Sequence, residues 1–529
     1  MPRPVWAMAL GVALLRALPF LQPIVRQPPR GYVYMPIGYL PKDWLAYVAL
    51  IRQPADTGRL LLANPFTTEP QQGRFVLLFH QALGALHLAT GIDPFWLLEL
   101  SRVPLLLVFF AVLWRFLGHL FVERRVKLWA CALVAFAGGV EPFVLPLARA
   151  LLSPATFQRI DRELWHFYGW SGFAAFYNPL WIAALALVLV VLPPLLQPGG
   201  PASGRDKVQA AIGFLLLGLV HSYSAMLVGA IVVALAIVEL ALDPGALRLL
   251  LPRLVVALAP PVVLLAALTL WQLRDPVFRA SAGGVLGNEA ASLFWMPVAY
   301  GAIGFLALRG FRSWAREGHP WRLAIGAWVG GVALLASSTV LNGYHFIFGL
   351  HLPLCIAAAP ALAEAVPRWR RAGSGGALRL AVAMVLLFTS PLQLTLTALR
   401  EARDHTVPLS WGATIAELRA APPTAVLAPP ELGNLIPAVS PHRVWLGQWF
   451  LTPDYAARTR WYALLVNQPE AQARLLRALV DAHRIGAIVV PAPAAPRLAP
   501  LLAPRVERVS THGDLATLFL RSPPKSGER

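Results

Sequence analysis

Residues 94–127 read PFWLLELSRVPLLLVFFAVLWRFLGHLFVERRVK. The run is apolar to about residue 121, and ERRVK then ends it. About 20 apolar residues suffice to carry a helix across the hydrocarbon of a bilayer. Runs of this kind recur along the chain, and they must cross as helices, because isolated strands would leave their backbone groups unpaired in lipid. Composition agrees: the 529 residues are 57% hydrophobic and 13% charged, with a mean hydropathy of +0.60. A soluble domain of this length would carry far more surface charge. The net charge of +19 does not imply nucleic acid, since much of it sits in short loops between apolar runs. There it sets orientation. Cys131 and Cys355 both fall in apolar stretches and read as small core residues, with no disulfide and no metal site.

Outward from this stretch, the pattern predicts an all-α polytopic membrane bundle of about eleven transmembrane helices. The N-terminal run MPRPVWAMALGVALLRALPFLQPIV lacks a small-residue cleavage site and reads as an uncleaved first span, with Arg16 inside it. Residues 26–93 form a large first outer loop with two amphipathic pieces, DWLAYVALI and RFVLLFHQALGALHLA, lying in the interface. Span three is expected over 128–148, followed by an aromatic second outer loop over 149–173. Residues 210–242 read as two short helices joined at His221–Ser224, and two later spans meet at NGYHF. With the N-terminus inside, ERRVK, GRDK, LRGFRSWAREGHPWR and PRWRRAGSGGALR all fall on the cytoplasmic side, as the positive-inside rule requires. The protein is thus expected as a multi-pass protein of the cell (inner) membrane.

Beyond residue 399 the character changes. Charged residues return, and the short runs TAVLAPP, HRVWLGQ, IGAIVVPA and LATLFLRS alternate with helical patterns such as EAQARLLRALVDAHR. This predicts a small α/β domain over 400–520, extracytoplasmic by span parity, and a disordered end over 521–529. Residues 1–399 form the membrane domain.

Acidic residues number only 26, which bounds any carboxylate mechanism. The topology places Asp43, Asp56, Glu69, Asp93, Asp161, Glu163, Asp275 and Glu289 in outer loops. Asp43 sits in YLPKDWLAYVAL, just beyond the first span, at the outer water–lipid boundary. A carboxylate so near lipid is costly unless solvated, paired or used. Tyr47 follows four residues later, on the same helical face; an interfacial helix with a solvated Asp and an anchoring Tyr is the structural alternative.

In NPFTTEPQQGRF, Asn64, Thr67 and Glu69 could contact a sugar, or the loop could simply be solvated. Glu99 and Arg102, three apart, suit a buried pair, although the planar donor fork of Arg102 also suits phosphate. Asp161, Glu163 and His166 crowd an aromatic loop fit for a sugar or for the headgroup belt. A divalent ion could bind there too, but the spacing matches no strong ligand pattern, and no metal is assigned. His221, and His345 beside Tyr344, stand at the two expected helix breaks. No phosphate loop, nucleophile elbow, HExxH or CxxC is present, which argues against ATP-driven transport and zinc proteolysis.

The stretches KDWLAYVALI…TGRLLLANPFTTE, GIDPFWLLELSRVPLLLVFFAVLWRFLGHLFVERRVKLWACALVAF and YHFIFGLHLPLCIAAAPAL resemble the integral-membrane glycosyltransferases of the C superfamily (GT-C). The likeness is to the bacterial relatives of protein O-mannosyltransferases, glycosyltransferase family 39-like proteins. Asp43 and Arg102 match the family's outer-loop acid and the Arg opening the second span. Many relatives carry a second acid directly after the first, where this chain has Trp44. The resemblance implies a polyprenyl-phosphate sugar donor, with the outer-loop acid as general base and cationic residues on the donor phosphate.

Asp43 is accordingly the expected catalytic residue. Tyr47, Asn64, Glu69, Asp161, Glu163 and His166 are the expected acceptor or sugar contacts, and Arg74, Arg102, Arg274 and His345 the expected donor-phosphate contacts. The expected partners are the lipid-linked donor, membrane lipids and an acceptor glycan, lipid or protein, with no nucleic acid. A transporter or flippase for a lipid-linked glycan, and a non-catalytic glycan-assembly subunit, are the competing readings. Broken spans suit the first, and Trp44 permits the second.

Overall fold

The computed structural model describes residues 1–25, 28–34, 41–139, 141–168, 176, 178–196, 203–242, 245, 247–285, 290, 292–341, 343–404 and 406–521. The helices used below are, in chain order, α1 (Arg3–Val25), α2 (Pro41–Thr57), α3 (Leu78–Thr90), α4 (Pro94–Leu120), α5 (Arg124–Phe136), α6 (Glu141–Leu151), α7 (Pro154–Tyr168), α8 (Pro179–Leu196), α9 (Gly204–Val220), α10 (Ser222–Leu242), α11 (Leu247–Gln272), α12 (Pro276–Val285), α13 (Met296–Glu317), α14 (Arg322–Ala336), α15 (His351–Arg371), α16 (Gly373–Asp404), α17 (Leu409–Ala420), α18 (Pro430–Val439), α19 (Tyr455–Asn467) and α20 (Ala473–His483). Two compact units emerge. One comprises Met1–Pro19, Glu99–Leu268 and Leu286–Leu399; the other comprises Phe20–Leu98, Thr269–Val285 and Arg400–Arg529.

The first unit is helical. Among the described residues, six helical runs are long and apolar enough to cross a membrane: Pro94–Leu120, Pro179–Leu196, Ser222–Leu242, Leu254–Gln272, Leu293–Glu317 and His345–Arg371. A chain with several such helices is a multi-pass membrane protein. Pro142–Leu151, Arg322–Ala336 and Gly373–Thr389 are shorter apolar helices. Small residues let backbones approach. At Gly310 of α13 an added Cβ would lie 1.8 Å from the Ala357 carbonyl of α15, so only glycine fits this crossing.

Two expected spans take other forms. The single span expected over 128–148 is divided, with α5 ending at Phe136 and α6 starting at Glu141. The Gly138-Gly139 pair disfavours a continuous helix. The groups exposed by the break are taken up: Gly138 N–H donates to Leu387 O at 2.9 Å, and His351 Nε2 donates to Ala137 O at 3.1 Å. Residues 210–242 do contain two helices, but the join is His221 alone and neither helix is short. A capping box between Ser203 and Asp206 starts α9 well upstream, and α10 runs 21 residues. Most of the expected aromatic loop is helical too, as α7.

The second unit pairs α2 with α3 and carries a mixed sheet. Strands β1 (Tyr32–Tyr34) and β2 (Thr406–Pro408) form a small antiparallel ribbon. The main sheet is built from β3 (Ala425–Leu427), β4 (Arg443–Val444), β5 (Ile485–Pro491), β6 (Val506–His512) and β7 (Leu515–Leu520), in the order β4-β3-β5-β7-β6. β3 runs parallel to β4 and β5, while β7 is antiparallel to β5 and β6. Leu427, Leu446, Leu465, Leu476, Ile488 and Leu518 centre its core. The four apolar runs marked in the sequence are β3, β4, β5 and β7. The edge strand β6, VERVSTH, is mostly solvated and had no apolar signal.

Candidate functional site

Helix α2 starts on Pro41, whose fixed φ suits a first helical position. Asp43 follows in the first turn, where a carboxylate is favoured by the helix dipole. Asp43 is half-buried. Gln448 of the C-terminal region donates from Nε2 to Asp43 Oδ1 at 3.3 Å. Gln448 is itself only 1% exposed. One turn along α2, the Tyr47 ring lies 5.0 Å from the imidazole of His80 on α3. His80 is buried, and neither ring nitrogen has a hydrogen-bond partner among the described residues. Burial in apolar surroundings lowers its pKa from 6.5 to about 3, so the ring is neutral at ordinary pH.

The loop 59–75 is stitched to the C-terminal region. Asn64 is buried: its Nδ2 donates to Leu451 O at 2.6 Å and to Ser281 Oγ at 3.3 Å, while its Oδ1 accepts from Phe66 N at 2.9 Å. Glu69 meets Arg458 Nη2 at 2.6 Å. Arg458 also donates to Trp445 O at 2.8 Å and lies over the Trp445 ring at 4.6 Å. Thr68 Oγ1 pairs with His483 Nδ1 at 3.0 Å. Burial lowers the His483 pKa, while the Glu69 charge opposes that shift.

The same loop is anchored to the segment 269–285. Arg74 Nη1 donates to Trp271 O at 2.8 Å, with its guanidinium 5.1 Å from the indole centroid. Asp275 is fully buried: its Oδ1 accepts from Val277 N at the start of α12, and its Oδ2 accepts from Gln72 N at 2.7 Å. Arg274 beside it is exposed.

The remaining candidates belong to the first unit. Arg102 grips Glu99 with both terminal nitrogens, one of them at 3.0 Å from Oε1. His345 stacks on Tyr223 with centroids 5.0 Å apart. The His221 ring stands 5.9 Å from Tyr223, and His221 Nδ1 meets Ser224 Oγ at 2.7 Å. The two helix-break histidines thus share one polar–aromatic cluster. Asp161 is half-buried on α7; the side chains of Glu163 and His166 lie outside the described residues.

The second unit therefore gathers Asp43, Tyr47, Asn64, Glu69, Arg74 and Arg274. It adds three residues that sequence reasoning passed over: Gln448, His80 and Arg458. Nothing in local spacing announces Gln448, which lies 405 residues from its carboxylate partner. His80 left a fainter signal, a histidine on the apolar face of RFVLLFHQALGALHLA.

Neither a family model nor a curated protein sequence matches the chain. Solved structures do match in fold. ArnT from Cupriavidus metallidurans bound to undecaprenyl phosphate is similar at a TM-score of 0.53 and 16% identity, over 97% of this chain and 99% of that one. Its apo state gives 0.52 and 16%, over 98% and 100%. The archaeal oligosaccharyltransferase AglB from Archaeoglobus fulgidus, in complex with an inhibitory peptide and a dolichol-phosphate, gives 0.50 and 14%, over 98% of this chain and 75% of that one. The fold is thus similar to those of ArnT and AglB.

Proposed function

We propose that this protein is a membrane glycosyltransferase that moves a sugar from a polyprenyl-phosphate donor to an acceptor hydroxyl at the outer face of the membrane. The observation that carries the reading is Asp43: a half-buried carboxylate in the first turn of α2, oriented by Gln448, in a chain similar in fold to ArnT. The structures similar in fold were solved with undecaprenyl phosphate or a dolichol-phosphate, which supports a lipid of that class as donor carrier.

In this reading Asp43 accepts the proton of the acceptor hydroxyl as its oxygen attacks the anomeric carbon. The bond from that carbon to the phosphate oxygen breaks, and the electron pair leaves on the polyprenyl phosphate. Cations would stabilise the anion released. Arg274 is exposed, whereas Arg74 and Arg102 already spend donors on Trp271 and Glu99. His345 stands in the cluster with Tyr223. Tyr47 and Glu69 remain the acceptor-side candidates of the second unit, joined by Asn64 if its buried amide can be reached. Asp161, Glu163 and His166 remain candidates on or beside α7. The family 39-like affiliation belongs to this proposal as well.

The test is sugar transfer by the purified protein from a polyprenyl-phosphate sugar. The helix break at His221 favours one second reading, a flippase for such lipids. Movement of labelled lipid across vesicles without any transfer would replace the first reading with that one. The outer placement of residues 400–520 is tested by protease on cells with a permeabilised outer envelope. Trimming is expected, and protection there with digestion only in inverted vesicles would reverse the topology.

A further inference from the structure

We infer that Gln448 is a positioning residue for the Asp43 carboxylate, so that the C-terminal domain supplies part of the acceptor site. The inference rests on Asp43 being the base.

The amide of Gln448 has its orientation set by the protein. Its Oε1 accepts from Trp449 N at 2.9 Å, which leaves the Nε2 end to face Asp43. Its own carbonyl accepts from Leu451 N at 3.1 Å and Thr452 N at 2.8 Å, closing a tight turn. That turn is moored to the loop after α2. Thr452 Oγ1 donates to Phe66 O at 3.0 Å and accepts from Gly447 N at 3.1 Å. Asn64 Nδ2 holds Leu451 O, and Val444 N donates to Pro65 O at 2.9 Å. Gly447 is required by the closeness of the seat: a Cβ there would meet Gly433 O at 2.7 Å and Phe66 Cδ1 at 2.9 Å.

So many linked contacts do not serve to solvate a carboxylate that water could reach. They hold the Gln448 amide with its donor 3.3 Å from Oδ1 of Asp43, which biases the rotation of the carboxylate about its last bond. A base aimed this way is pre-set for the acceptor hydroxyl.

Several other titratable groups among the described residues here have engagements of their own. Helices α3 and α18 pack on α2. His80 of α3 is kept neutral by burial beside Tyr47. Glu431 of α18 acts on Tyr462, Glu69 is paired with Arg458, and Arg52 of α2 is paired with Asp56.

The experiment follows Asp43 itself in the full-length protein in detergent. A water-soluble carbodiimide with glycine ethyl ester labels protonated carboxyls, and peptide mass spectrometry reads labelling at Asp43 against pH. Gln448→Leu removes the donor, and Gln448→Glu, of the same size, sets a second carboxyl against Oδ1. Both should move the pH of half-maximal labelling upward, Gln448→Glu by about one unit or more. In the transfer assay Gln448→Leu should lower kcat about 10-fold and leave the donor KM unchanged. Coincident labelling midpoints in the parent, Gln448→Leu and Gln448→Glu would overturn the inference. Should Gln448→Leu not fold, the isosteric Gln448→Glu carries the same readout. Full turnover by Asp43→Asn would instead defeat the reading of Asp43 as base, whatever the midpoints show.

Discussion

Two carboxylates, Asp43 and Glu99, are held in opposite ways. Glu99 receives a bidentate guanidinium from Arg102, three residues on along the same helix, and both side chains are under 10% exposed. Asp43 receives a neutral amide from Gln448, 405 residues on, and stays half-buried. The first arrangement cancels a charge locally and commits the carboxylate oxygens, as a structural pair within a helix bundle does. The second sets a neutral donor 3.3 Å from one carboxylate oxygen, an arrangement that suits the proposed base.

The comparison breaks most visibly at Asp43. Asp43→Asn keeps the shape and the reach of the side chain but removes its basicity. Transfer should fall by at least about 100-fold, the lower end for general-base catalysis, with donor binding and folding retained. Near-parental turnover in the transfer assay would send the search to Glu69 and Asp161.

At Glu99 the effect should fall on stability instead. Arg102→Met strands a buried carboxylate and should cost about 2 kcal/mol, read as a lower melting temperature in detergent. Adding Glu99→Gln should recover at least half of that loss, because the pair is then absent rather than broken. Failure of the double variant to recover would mean that Arg102 acts elsewhere. Unchanged donor affinity in Arg102→Met would exclude it from the phosphate site.

Glu69 tests a middle case, a partly exposed carboxylate with a cation from far along the chain. Arg458→Ala removes the ion pair and the cover over Trp445, and should cost about 1–2 kcal/mol. An unchanged unfolding midpoint would show that the pair contributes nothing.

A separate effect concerns pH and is confined to the acid range. The His80 pKa is lowered on folding from 6.5 to about 3, so between those values the unfolded chain binds the extra proton. Stability should therefore be full above about pH 6.5 and fall as the pH drops toward 3. His80→Phe keeps a ring beside Tyr47 and should flatten that part of the profile. Parallel pH–stability curves for parent and variant would reject the buried neutral imidazole.

The membrane class, the helix pair in 210–242, the α/β character of the tail and the Glu99–Arg102 pair could all be read from sequence. Each depends on residues within one helix turn, or on the mean hydropathy of one run. The division of the span at Gly138-Gly139 was legible only in part: the glycines are local, but the groups that relieve the break come from Leu387 and His351. Asp43 could be singled out by its position, whereas its orientation could not. Gln448 and Arg458 reach α2 and residues 64–69 only because the tail folds onto them, and His80 reaches Tyr47 only through the packing of α3 on α2. Hydrogen bonds across such distances leave no periodicity in the sequence, so local chemistry nominated the acid and tertiary structure alone decided what holds it.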